Sequence, residues 1–214
     1  MTYERHKLQT LIAGVVLAGL AFVPLYAWLT GDMYVLTLFG RILAFSLAAL
    51  GLNLALGYGG MVSLGHAMYM GLGAYTVGIL SSLGVFSGWV HLVCTAFITI
   101  LIATPLSWVA LRTQGIAFIM ITLAFAQMVY YLVVSFKAYG GDDGLPLLAR
   151  SRVGMLDMSA DTNFYYITLA ICLLVLVLIA RLLNARFGHV LQAIRDNETR
   201  MQSLGYAVFN YKLC

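Results

Sequence analysis

Histidine, cysteine and the carboxylates are the side chains that most readily do chemistry, and in this sequence they do not converge. His6, His66, His91 and His189 lie far apart, and HExxH is missing. Cys94, Cys172 and Cys214 are scattered and form no CxxC. Neither a zinc site nor a disulfide framework is therefore indicated. There is no GxxxxGK[ST], so the chain does not hydrolyse ATP through a P-loop of its own. No nucleophile stands beside a base. The adjacent Asp142 and Asp143 could attract a cation, but their spacing lacks the calcium-loop pattern. Their setting, Tyr139-Gly-Gly-Asp-Asp-Gly-Leu-Pro146, is rich in turn formers. Gly140, Gly141, Asp142, Asp143 and Gly144 are read as an ordered turn. The expectation is a chain with no catalytic residue, metal or cofactor.

Three other patterns bear on function. The stretch from Gly51 to His66 places Gly57, Gly59 and Gly60 within four residues. Glycine favours non-helical backbone, so a helix should be interrupted here. One reading is a tight turn between two helices. The other is a break beside a substrate pathway, since a broken helix at membrane depth is tolerated only against protein or a water-filled cavity. Asn53, Ser63 and His66 flank the break, as interhelical hydrogen-bonding groups or as substrate contacts. Next, Ser63, Ala67, Gly71, Ala74, Gly78 and Ser82 recur at intervals of three or four residues. That is one helical face, and small faces let helices approach closely in lipid. It is expected to be a packing seam, within the chain or against a partner. Finally, Val190, Ile194, Met201 and Leu204 share a face of an otherwise polar segment, Arg186–Gly205. This predicts a short amphipathic helix pair, lying on the lipid surface or docking into a partner's groove.

The elements that must position these groups follow from composition. The chain has 214 residues, 62% hydrophobic and 9% charged. A soluble domain carries about 25% charged residues. Six apolar runs stand out: Leu8–Leu29, Val35–Gly57, Val62–Leu83, Trp89–Leu111, Gly115–Phe136 and Phe164–Leu183. Each approaches the ~20 residues a helix needs to span the hydrocarbon core. The first run is longer than a signal core and has no small-x-small cleavage site after it, so it reads as a retained span. The fold class is thus an all-α polytopic membrane bundle. Residues 1–183 form the bundle and 184–214 a segment at its end. Arg41 is expected to snorkel outward along its own stem, and Gln127 to hydrogen-bond to a neighbouring helix.

With the N-terminus in the cytoplasm, Arg5, Lys7, Arg112, Arg181, Arg186, Arg195, Arg200 and Lys212 fall inside. Only Lys137, Arg150 and Arg152 fall clearly outside, together with Asp32, Asp142, Asp143, Asp157 and Asp161. This bias favours the N-in orientation. It also explains the basic balance as topology, with no nucleic-acid partner required. A membrane-embedded enzyme would need paired His or Asp within the spans, and these are missing.

Four stretches carry a resemblance: Ala49–Gly78, Leu111–Gln127, Tyr139–Pro146 and Arg186–Lys212. They are similar to the permease subunit of bacterial branched-chain amino acid ABC transporters, the LivM-like family. The resemblance implies an importer in the bacterial inner membrane. A second permease subunit, two ABC ATPase subunits and a periplasmic substrate-binding protein would be its partners. It further implies that the Arg186–Gly205 segment couples to the ATPase, through Arg186, Gly188, Ala193, Ile194, Arg195, Asn197, Glu198 and Gly205. Met201, Gln202 and Ser203 depart from the alanine-rich run usual there. Urea and short-amide importers use closely similar subunits, so these substrates stay open. Family members continue past Tyr211-Lys212-Leu213 through further spans. The chain is therefore expected to be a partial permease or a truncated, non-functional fragment.

Overall fold

Hydrocarbon offers no partner to a backbone amide, so apolar segments close their hydrogen bonds within helices. The structure is a computed structural model. It describes residues 2–141, 144–145 and 160–213, with side chains throughout except at 2–13, 33 and 138. Five long helices and one shorter one make the bundle: α1 (Thr2–Thr30), α2 (Met33–Asn53), α3 (His66–Ser82), α4 (Gly88–Ala110), α5 (Ile116–Ser135) and α6 (Asp161–Asn184). Three short helices follow: α7 (Arg186–Asp196), α8 (Glu198–Ser203) and α9 (Val208–Leu213). There is no β-strand among the described residues.

Four stretches are long and apolar enough to cross a membrane: Tyr34–Tyr58, Gly88–Ala110, Ile116–Ser135 and Asp161–Asn184. A shorter apolar stretch, Gly14–Thr30, lies within α1. The helix in the third apolar run is shorter than that run. It begins at His66 rather than Val62 and has 17 residues, because the chain leaves helical backbone around Gly60. Phe22, Trp28, Trp89, Phe97, Ile100 and Met120 are all exposed. So large a set of outward apolar side chains is foreign to a water-facing monomer and suits a hydrocarbon solvent. The molecule is a multi-pass membrane helix bundle.

The helices pack in two groups. α1, α2 and α6 meet around Ala27, Leu36, Leu43, Tyr165 and Leu169. Pro24 lies inside α1. Proline has no N–H, so the carbonyl four residues earlier, on Leu20, loses its helical donor. Tyr165 of α6, fully buried, donates its Oη–H to that Leu20 oxygen at 2.7 Å. α3, α4 and α5 meet around Met68, Leu72 and Val129, with Ile102, Leu106 and Ala126 against them.

The small-residue stripe on α3 does not form the internal seam. The bulky face of α3, Met68, Leu72 and Thr76, is the buried one, while Ala67, Gly71 and Ala74 are exposed. Only Gly78 of these four is covered, and by a loop residue: a Cβ there would lie 2.5 Å from Leu145 Cδ2. The close approach of α3 to α4 instead uses Gly73, whose missing Cβ would touch Thr95 Cγ2 at 3.4 Å. Gln127 departs from expectation too. It is exposed on α5, and no hydrogen bond from it to a neighbouring helix is present among the described residues. Arg41 is exposed, as expected.

The turn after α5 is partly described. Gly140 and Gly144 take left-handed backbone, with φ +88° and +80°. A Cβ on Gly140 would lie 2.2 Å from Gly144 O, so the loop closes tightly on itself. Asp142, Asp143 and Pro146 lie outside the described residues.

Candidate functional site

At its C-terminal end α2 widens into a π-turn, Leu54–Tyr58. The Gly59 N–H reaches back to Leu54 O at 3.0 Å, and the Met61 N–H to Ala55 O at 3.1 Å. Gly59 is buried, and a Cβ there would lie 2.7 Å from Ala55 O. Gly60 then takes φ +67°, a left-handed conformation that ends the helix at no steric cost to glycine. The non-helical residues up to Gly65 run against α5. Leu64 N–H donates to Thr122 Oγ1 at 3.3 Å, and a Cβ on Gly65 would lie 2.6 Å from Thr122 O. The freed backbone groups thus find protein partners, as an interrupted helix in a membrane requires.

Beside this break lies a cavity of about 350 Å³, lined by residues of α2 to α7 and of α9, and so by both helix groups. Most of the wall is apolar: Leu54, Leu106, Phe118, Phe125, Leu182 and Leu191. Ser63, His66, Tyr69, Ser107 and Thr122 bring polar groups to it. The His66 ring meets Tyr69 edge-on, with centroids 5.4 Å apart, and Tyr69 Oη lies 3.5 Å from Ser107 Oγ. His66 Nδ1 is buried with no hydrogen-bond partner among the described residues. An apolar pocket with a few convergent polar groups is the usual form of a small-molecule site.

The segment after α6 closes one end of the cavity through Phe187, Leu191, Tyr211, Lys212 and Leu213. α7 folds back sharply because residue 188 is glycine: a Cβ there would lie 2.5 Å from both Leu182 O and Leu183 Cα. Ile194, Met201 and Val208 then join α7, α8 and α9 in a core of their own. Asn197 separates α7 from α8 with extended backbone, and its side chain accepts the Arg200 N–H at 2.9 Å. This break resets the helical register. Met201 therefore turns inward, whereas Leu204, expected on the same face, is 64% exposed. Leu191 takes a place on the buried face instead. Gly205, at φ +86°, ends α8. Lys212 Nζ and Glu198 Oε2 form an ion pair at 2.7 Å.

Two sequence features that looked separate are joined here. Arg195, near the end of α7, donates from Nη1 to the carbonyl oxygen of Gly57 in the π-turn. Its stem lies on Gly60, where a Cβ would come within 2.8 Å of Arg195 Cγ. Asn53 lies over Gly57, whose Cβ would meet Asn53 Oδ1 at 2.5 Å. A second hollow joins Gly60 and Met61 to Gln114, Gly115, Glu198 and Lys212. The break, the α4–α5 turn and the α8–α9 region therefore share one end of the bundle. Gly78 and its Leu145 contact are about 18 Å along α3 from His66, at 1.5 Å per residue, so the glycine turn is not part of this site. Tyr69, Ser107, Thr122 and Lys212 carried no signal in their spacing, since each is one of several polar residues scattered along its element.

Residues 34–214 match the family described as branched-chain amino acid transport system, permease component. That match covers most of the chain and contains every residue lining the cavity. The chain belongs to this permease family. Its relatives include the high-affinity branched-chain amino acid transport system permease protein LivM of Salmonella typhimurium. The two are 26% identical over 188 residues, covering 77% of this chain and 44% of the relative. The Escherichia coli protein of the same name is 27% identical over the same shares. A probable branched-chain amino acid transport permease protein LivM of Methanocaldococcus jannaschii is 25% identical, over 78% of this chain and 58% of its own length. The chain spans about half the length of the curated relatives it matches. No solved structure matches it. Family membership places the chain among the membrane-spanning components of transport systems.

Proposed function

We infer that the chain forms part of the translocation pathway of an ABC importer for branched-chain or chemically related amino acids in a bacterial inner membrane. The observation that carries this reading is the interrupted α2, which borders a cavity closed at one end by the amphipathic α7–α9 segment. A family permease needs a path that alternates its access, and a broken helix beside a cavity is where a membrane protein tolerates such a path. The apolar wall suits an aliphatic side chain. The hydroxyls and the His66 ring supply the polar contacts.

In this reading α7–α9 faces two ABC ATPase subunits in the cytoplasm. A second permease subunit completes the pathway, and a periplasmic binding protein delivers substrate from the far side. The exposed Ala67, Gly71 and Ala74 face of α3 is then available to the second permease. ATP and the loaded binding protein shift the permease between states by binding one state better than the other.

The test is reconstitution of the permease in liposomes with ATPase subunits, a second permease and a binding protein from the same organism. ATP-dependent uptake of labelled leucine, competed by isoleucine and valine, is the expected result. Uptake of urea but not of leucine would reassign the substrate to short amides. An assembled complex that imports neither would remove the reading.

A further inference from the structure

The Arg186–Gly205 segment reads in sequence as a docking surface, which would have its cations pointing out toward a partner. Arg195 stays exposed to solvent, yet its guanidinium is committed to the bundle. Its guanidinium donates to Gly57 O, and that oxygen is open for a specific reason. In a regular helix the Met61 N–H, four residues on, would bond to it. Here that N–H is diverted to Ala55 O by the π-turn. Arg195 supplies the missing donor and places a cation at the carbonyl end of a helix, where the dipole favours one.

The contact has a second point. The Arg195 stem occupies the space over Gly60 that any side chain there would need. The base from which Arg195 reaches is also fixed. Its neighbour Ile194 is 2% exposed, within the core that holds α7, α8 and α9 together. Of the two acids that follow, Asp196 is exposed and Glu198 is committed to Lys212.

We propose that Arg195 is a positioning residue of the pathway: it ties α7 to the open end of the α2 break, so that displacement of α7–α9 is delivered to the cavity wall at Gly57–Gly60. It acts by holding backbone and does not itself contact the transported molecule. The proposal rests on the functional reading above for what displaces α7, but the tie is a property of this chain and can be tested without substrate.

The experiment uses the full-length protein in its membrane, with Cys94, Cys172, Cys214 and any cysteine beyond them replaced by serine. A single cysteine, Ser63→Cys, is placed at the cavity. The readout is its labelling rate with a membrane-impermeant maleimide in opened membranes, where both faces are accessible. Arg195→Gln and Gly60→Ala remove the tie from opposite sides, and Arg195→Lys keeps a cation near the carbonyl. The expected result is a change in labelling rate of about fivefold or more in the first two, the low end of coupling between linked sites. Arg195→Lys should restore most of the original rate.

Unchanged labelling in both Arg195→Gln and Gly60→Ala would overturn the tie, and Arg195 would then be a docking contact alone. Should Arg195→Gln fail to insert, Arg195→Met decides, because it keeps the stem over Gly60 and removes only the donor. Altered labelling in a complex that imports neither amino acid nor urea would keep the tie and remove the functional reading. Intact import with unchanged labelling would do the reverse.

Discussion

Tyr165 shows how one side chain repairs a defect written into another helix. Pro24 leaves Leu20 O without its helical donor, and the Tyr165 hydroxyl fills the gap at 2.7 Å. Tyr165→Phe should keep the packing and orphan the carbonyl, a loss of about 1 kcal/mol given the modest worth of such bonds in membranes. Chemical denaturation in detergent, compared with wild type, measures this; equal stability would mean that the carbonyl finds another donor. Gly188 is a stricter case, because its space is filled by the backbone of Leu182 and Leu183. Gly188→Ala should cost about 2 kcal/mol through overpacking. Faster proteolysis of the α6–α7 junction would reveal it. The His66 ring lines the cavity, and its buried Nδ1 has no partner among the described residues. His66→Ala should lower substrate uptake several-fold in an otherwise assembled complex. Unchanged uptake would remove His66 from the pathway.

At the scale of elements, the α7–α9 segment has one set of side chains that holds it together and another that the proposed docking would use. Ile194 and Met201 are buried within it, whereas Leu204 is left outside by the break at Asn197. Ile194→Ala should therefore cost about 2–5 kcal/mol of stability, the usual range for a buried aliphatic truncation. Leu204→Ala should be nearly neutral for folding and yet weaken retention of the ATPase subunits. Co-purification of the complex, set beside the melting curve of the permease alone, distinguishes the two effects. An ATPase held equally well by Leu204→Ala would place the docking face elsewhere. The α3 helix teaches the same lesson in reverse. Its small residues are regularly spaced, but the face that packs internally is the one bearing Met68 and Leu72. Spacing identifies a face, and only the surrounding helices decide what that face meets.

For the whole molecule, the break, the α4–α5 turn and α7–α9 gather at one end, bringing Arg112, Arg195 and Lys212 to a common side. Arg112 stacks over the Trp108 ring at 3.7 Å, an arrangement suited to a membrane interface. The positive-inside rule then predicts that this end is cytoplasmic. A cysteine at Thr113 should react with an impermeant reagent only after the membrane is opened, and one at Lys137 in intact, outer-membrane-permeabilised cells. The opposite pattern would invert the orientation.

The all-α class, the existence of membrane spans, the break near Gly60 and the amphipathic end were legible from sequence alone, because lipid makes each of them a local property. A span must satisfy its own backbone over its own length, and a glycine cluster releases that backbone wherever it occurs. The start of the third helix at His66, the outward turn of the α3 stripe, the gathering of Tyr69, Ser107 and Thr122 around one cavity, and the reach of Arg195 to Gly57 were decided by tertiary structure. Each depends on a partner tens of residues away in sequence, and an apolar run reads alike whichever side it turns to its neighbours. The amphipathic segment that sequence marks as a surface element is, in the folded chain, also the support of the helix break.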